Sequence, residues 1–174
     1  PNRPETVDEQ VQQAVDAYNA GASMVHIHAR QPDRLGEVSS DPELYMEINR
    51  RIRERCPDLI INNTAMGGKM VSPDGVFTPP MRACLPARPE VASVDLMLDY
   101  AKVVYKKRLP PLTGRDEDEL RQHHYVMQPE DAVEMLNAME EYGIKPEYEL
   151  FGLYGIKMLR RVLQLKEVPG PHWV

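Results

Sequence analysis

The chain has only two cysteines, Cys56 and Cys84, in 174 residues. That is too few for a disulfide framework, and with no secretory apolar region it points to reduced thiols and a cytoplasmic protein. No apolar run approaches the ~20 residues that a membrane span needs. A surplus of positive charge is missing too: 21 Lys and Arg stand against 27 Asp and Glu, a net charge of -6, which argues against a nucleic-acid surface. The short run Lys106-Lys107-Arg108 reads as a solvated face. No Gly-x-Gly-x-x-Gly turn is found, and with it goes the mark of a doubly wound nucleotide fold. Gly67-Gly68-Lys69 lacks both the upstream Gly and the following Ser or Thr of a Walker phosphate loop, though it remains a candidate anion-facing loop.

The remainder, 42% hydrophobic and 28% charged, is a globular composition sized for a single domain over residues 1–174. Pro1 is not an initiator Met, and an apolar stretch opens at His172-Trp173-Val174, so a piece of something longer is expected. Thr6 and Glu9 form a capping box ahead of Val7, Val11, Ala14, Val15 and Tyr18 at helical spacing, with Gly21 as the stop. A strand through Met24 to Arg30 follows. Asp41 and Pro42 start a second helix with Tyr45, Ile48 and Ile52 on one face. Strands are expected at Asp58–Asn63, Val91–Leu98 and Tyr148–Phe151. Helices are expected from Pro129 to a stop at Gly143 and over Gly155–Val168, and one more strand begins at His172. Residues 106–125 lack a clear period and read as a long loop or insertion.

Short apolar strands alternating with helices mean a parallel sheet with helical crossovers, either doubly wound or a (β/α)8 barrel. Polar groups recur at the strand ends: His26 and His28; Asn62, Asn63 and Thr64; Ser93 and Asp95; Glu147 and Glu149. Several strands contributing to one mouth is how barrel active sites are built. The fold expected is therefore a TIM barrel, present as about strands two to six.

On a strand, His26 and His28 share a face and can converge on one divalent cation, zinc by first choice, at about 2.0 to 2.1 Å per Zn–N bond. Arg30 adds a fixed cation beside them. Glu147 and Glu149 repeat the same period-two placement. Their side faces either the mouth or solvent. Thr64 and Ser93 offer hydroxyls for substrate or for capping. His123 and His124 are adjacent, so on an extended chain they point apart, and His172 reads as structural.

The run Ala20 to Arg30 resembles the signature of the β-keto acid cleavage enzymes, whose type member cleaves 3-keto-5-aminohexanoate. The resemblance continues through Pro57–Thr64 with Gly67-Gly68, Pro89–Asp95 and Gly143–Glu149. It implies a zinc-dependent (β/α)8 barrel, a homotetramer, that turns a β-keto acid and acetyl-CoA into acetoacetate and an acyl-CoA. It further implies His26 and His28 as metal ligands, Glu147 or Glu149 as the active-site glutamate, and Thr64 and Ser93 as substrate contacts. Arg30, Asn63, Gly67 and Gly68 join the substrate-binding set. A carboxylate zinc ligand and an Arg/Asp pair would come from a last strand beyond this chain. The alternatives are a zinc hydrolase of the amidohydrolase type, which also uses His-x-His, and a non-catalytic barrel fragment.

Overall fold

The computed structural model describes residues 3–65, 68–72, 75–77, 82–110 and 115–174. Helix α1 (Val7–Asn19) starts at the expected capping box. Thr6 Oγ1 accepts from the Glu9 N–H at 3.2 Å, and Glu9 Oε2 accepts from the Thr6 N–H at 3.0 Å, which satisfies donors that the helix itself leaves unpaired. Strand β1 (Met24–Ile27) leads into a small hairpin of β2 (Arg30–Gln31) and β3 (Arg34–Val38). Helix α2 (Pro42–Arg55) begins where Asp41 accepts the Glu43 N–H at 3.0 Å, and it buries Tyr45, Ile48 and Ile52. Both isoleucines are fully buried, so truncating either to Ala costs about 2–5 kcal/mol.

Strand β4 (Ile60–Asn63) is followed by the paired β5 (Lys69–Ser72) and β6 (Gly75–Phe77), then a 3-10 turn at Leu85–Ala87 and strand β7 (Val91–Asp95). Two long strands come next, β8 (Leu98–Tyr105) and β9 (Glu119–Val126). Helix α3 (Pro129–Tyr142) ends on Gly143, whose φ of 71° is the left-handed cap that glycine adopts without steric cost. Strand β10 (Lys145–Glu149) and helix α4 (Leu153–Leu165) complete the order.

The main sheet runs β1-β4-β7-β10, all parallel. Its spatial order follows chain order. A doubly wound sheet must reverse at a switch point, whereas a sheet that grows in one direction winds as a (β/α)8 barrel does. Growth continues at Trp173, which bridges Glu147 in parallel and accepts the Tyr148 N–H on its carbonyl at 2.9 Å. The chain is thus a partial barrel of four strands and the beginning of a fifth. Its core packs Val11, Ile48, Ile52, Met135 and Met139 of the helices against Ile27, Ile61, Val94 and Tyr148 of the sheet. Among the described residues no helix is long and apolar enough to cross a membrane.

Three hairpin excursions leave the C-terminal ends of β1, β4 and β7, and two of them join. Strand β5 pairs with β9, which makes a second, antiparallel sheet in the order β6-β5-β9-β8. Arg121 of β9 also donates to Glu37 of β3 at 2.6 Å, so all three excursions are tied together at one end of the barrel.

Two expectations are corrected. The segment 106–125 is not wholly loop: β9 starts at Glu119 and pairs with β8 over eight register positions. The strand is specified by its partner. With β8 exposed or half-buried along its length, no buried face exists to impose an alternation. The strand expected at Tyr148–Phe151 lies at Lys145–Glu149 instead. Pro146, which looks like a breaker, is accommodated because the neighbouring Lys145 N–H makes the bond across to the Glu90 carbonyl at 3.0 Å, and the next residue's N–H would turn away from β7, so that pairing loses nothing to the proline.

Candidate active site

The parallel register sorts the strand residues onto two faces. His26 stands opposite Asn62, Ser93 opposite Glu147, and Asp95 opposite Glu149. Residues two apart share a side, so these six project together, away from the face on which Ile27, Ile61, Val94 and Tyr148 form the core.

His26 and His28 come together at the end of β1. Their Nε2 atoms are 2.9 Å apart, with ring centroids at 4.8 Å and planes inclined by 58°. Two unprotonated nitrogens at that distance repel, so a shared proton or a shared cation belongs between them. His26 is exposed and His28 half-buried. Burial, then the neighbouring charges of His26, Arg30 and Arg3, push His28 down to about 4, which leaves it neutral at physiological pH, the form that ligates metal.

The carboxylates arrive from β10. One ligand atom from each of His26, Glu147 and Glu149 lies within 4.8 Å of the others. Asn62 Nδ2 donates to Glu147 Oε2 and so fixes that carboxylate, while Asn62 Oδ1 is buried with no partner. The residues present fit a divalent cation. Tetrahedral Zn–N bonds ask for about 3.3 Å between two imidazole nitrogens, a few tenths more than the pair shows, and acceptor oxygens stand nearby.

The hydroxyls line the same end. Ser93 is buried, and its Oγ accepts the Ala65 N–H at 3.4 Å. Thr64 is buried, and its N–H donates to the Ile27 carbonyl at 3.2 Å. Arg30 is half-buried with its Nε unpartnered; burial, then Arg3, lower its pKa. Arg30, Arg3, His26 and His28 all border a cleft of about 320 Å³ between α1 and β1.

Asp95 is the most perturbed acid of the face. It is 7% exposed, and its Oδ1 is buried without a partner. Burial, and then the charge of Glu149 opposite, push it up to about 7.

Asn63 and Gly68 take other places than those expected. Asn63 faces the helices, where its Oδ1 accepts from Asn49 Nδ2 at 2.7 Å, and both residues are fully buried. It is a core amide and contacts no open site. The Gly68 N–H is spent on the Tyr125 hydroxyl at 2.8 Å. A Cβ at Gly68 would sit 2.5 Å from Tyr125 Cζ and 2.8 Å from the Val126 carbonyl, so glycine is demanded by close packing. Gly67 lies outside the described residues. Of the polar residues at strand ends, Asn62 and Asp95 belong to the site although the motif reading did not select them. The signal was parity, since Asn62 is the residue that pairs with His26.

Comparison with known proteins agrees with this architecture. The chain is 28% identical over 171 residues to the 3-keto-5-aminohexanoate cleavage enzyme of Acetoanaerobium sticklandii, covering 98% of this chain and 54% of that protein. It is 32% identical over 172 residues to the 3-oxoadipate:acetyl-CoA acetyltransferase of Cupriavidus necator, covering 98% of this chain and 50% of that one. The chain therefore spans about half the length of the curated relatives it matches. The solved apo structure of ObcA superposes with a TM-score of 0.62 at 18% identity, over 92% of this chain and 34% of that one, a likeness of fold. The sequence model of the beta-keto acid cleavage enzymes matches residues 1–174 from end to end, and the chain belongs to that family.

Proposed function

We propose that this protein cleaves a β-keto acid with acetyl-CoA, releasing acetoacetate and the CoA ester of the remaining acyl part, and that it does so with bound zinc. The observation that carries the reading is that His26 meets His28 on one side and Glu147 and Glu149 on the other, at the C-terminal end of a partial barrel, in a chain of this family. The co-substrate is supported by a relative named for acetyl-CoA transfer.

His26 and His28 hold the metal, with a further carboxylate ligand supplied by the rest of the protein. Zinc bound there supplies Lewis-acid polarisation of the keto oxygen. Glu147, kept in place by the Asn62 amide, and Glu149 beside it are positioned to take up and return a proton. Thr64 and Ser93 orient the substrate, and Arg30 offsets its carboxylate charge. The reading extends to a homotetramer in the cytoplasm. The location is supported by the free, buried thiols of Cys56 and Cys84, and the tetramer by family resemblance.

The test uses the full-length protein. Metal analysis should find stoichiometric zinc, lost in H26A and H28A, and a panel of β-keto acids with acetyl-CoA should give acetoacetate with at least one member. Absence of turnover with every member, despite bound zinc, would overturn the reading. The hydrolase alternative asks for further histidines at later strand ends, where this sheet carries Ser93, Asp95, Glu147 and Glu149.

A further inference from the structure

Strands β2 and β3 pair with each other and, among the described residues, with no further strand. A two-stranded hairpin alone in water is marginally stable at best, so the pose of this one depends on what fastens it to the barrel. Its root is fixed where the Ser39 N–H donates to the Ala29 carbonyl at 2.7 Å, and both residues are buried. Farther out it is held by Arg121 of β9, whose Nη2 donates to Glu37 Oε1 at 2.6 Å.

That guanidinium is itself anchored. Its Nε and Nη2 donate to the two Glu119 oxygens at 2.7 and 2.9 Å, and it lies 5.0 Å from the centroid of the Tyr105 ring, a cation–π distance. Glu119 already pairs the fork, so neutralising Arg121 does not require Glu37. What the bond to Glu37 adds is a tie between two sheets.

The place of the tie matters because of what the hairpin carries. Arg30 opens β2 just after the histidines and stands opposite Val38 in register. Glu37 is the neighbour of Val38, and neighbours on a strand face opposite sides, so a grip on Glu37 from one face fixes how Arg30 is presented on the other. A register irregularity between Arg30 and Gln31 adds local twist, a device that re-aims side chains beside active sites. Arg30 borders the cleft together with His26 and His28. Each of these contacts has both partners among the described residues.

Resting on the function proposed above, in which Arg30 meets the substrate carboxylate, we infer that Arg121 is a positioning residue: through Glu37 it orients the β2–β3 hairpin and so sets where the Arg30 guanidinium stands at the mouth. Arg121 itself touches no reacting atom. The histidines precede the root of the hairpin, so loss of the tie weakens binding of the keto acid and spares the metal.

The experiment uses the full-length protein and the β-keto acid that turns over best. The Arg121–Glu37 bond is charge-assisted and neither fully exposed nor fully buried, so R121Q and E37Q should each raise KM for the keto acid about three- to thirtyfold, with kcat, KM for acetyl-CoA and zinc content within about twofold of wild type. In R30Q, adding R121Q should raise KM by less than about a further twofold, because a residue that acts through Arg30 has nothing left to position. The exchanged pair R121E/E37R should recover most of the affinity lost in R121E. Hydrogen exchange reads the tie without turnover: over residues 29–39 it should speed up in R121Q and E37Q, while β4 and β7 exchange as in wild type. Independent, multiplying effects of R121Q and R30Q, or an unchanged KM despite faster exchange, would overturn the link to Arg30. Unchanged exchange over 29–39 would overturn the tie itself. Where R121Q fails to fold, E37Q carries the same comparisons. No acetoacetate from any β-keto acid overturns the cleavage reading instead, and the exchange rates then decide the tie on their own.

Discussion

Replacing Asp95 by Asn isolates the energetic cost of holding a carboxyl in the barrel wall. Burial and Glu149 push Asp95 up to about 7, from an ordinary value of 3.8. The two values lie about three pH units apart, and at about 1.36 kcal/mol per unit the gap corresponds to about 4 kcal/mol. The sign follows from proton counting. Between pH 3.8 and about 7 the folded chain holds a proton on Asp95 that the unfolded chain has released, so stability falls as pH rises through this window. Above it the penalty is complete, and below it the penalty vanishes. An Asn side chain cannot ionise and escapes this dependence, although its new N–H donors need partners in a buried place, a constant cost of about 1–3 kcal/mol. Urea unfolding of metal-free wild-type and D95N protein, in chelator from pH 4 to pH 8, therefore should give a stability difference that shifts by about 4 kcal/mol in favour of the variant across the range. A constant offset would survive incomplete hydrogen bonding of the amide; a difference that stays flat with pH would refute the reasoning, because it would mean that Asp95 titrates alike in the folded and unfolded chains.

Other perturbations test the supports of the site. Gly68→Ala places a Cβ against Tyr125 and the Val126 carbonyl and should cost about 1–3 kcal/mol or more by overpacking, read as a lowered denaturation midpoint. Tyr125→Phe strands the buried Gly68 N–H and should cost about 1–3 kcal/mol in the same assay. Asn63→Ala leaves Asn49 without its partner and should destabilise by a similar amount, whereas zinc content should match wild type because Asn63 lies on the helix side of the sheet; loss of metal would contradict that placement. Thr6→Ala removes the cap of α1 and should cost about 0.5–2 kcal/mol, seen as a small fall in thermal midpoint.

The contrast between Asn62 and Asn63 explains which features could be read from the sequence. Helices were legible because their ends carry local chemistry: Thr6 with Glu9, Asp41 with Pro42, and Gly143 each act within a few residues and need no distant partner. The long strands β8 and β9 were not. Leu98, Tyr100, Val104 and Leu120 are apolar yet 49–59% exposed, so burial never writes a period-two pattern into the segment, and only pairing between the strands defines it. Site residues suffered a subtler loss. A period of two gives the two faces of a strand but not which is inward, and one residue of uncertainty exchanges them completely. At the end of β1 the histidines, His26 on the strand and His28 just beyond it, supplied their own origin, because both carry the relevant chemistry. Within Asn62-Asn63-Thr64 nothing local distinguishes the amide that holds Glu147 from the one that bonds Asn49. The register with His26 does, and register is a property of two strands. A polar residue next to a motif-bearing strand is therefore assignable from sequence only once the adjoining strand has been aligned to it, and the same alignment carried along the sheet brings Asp95 to Glu149.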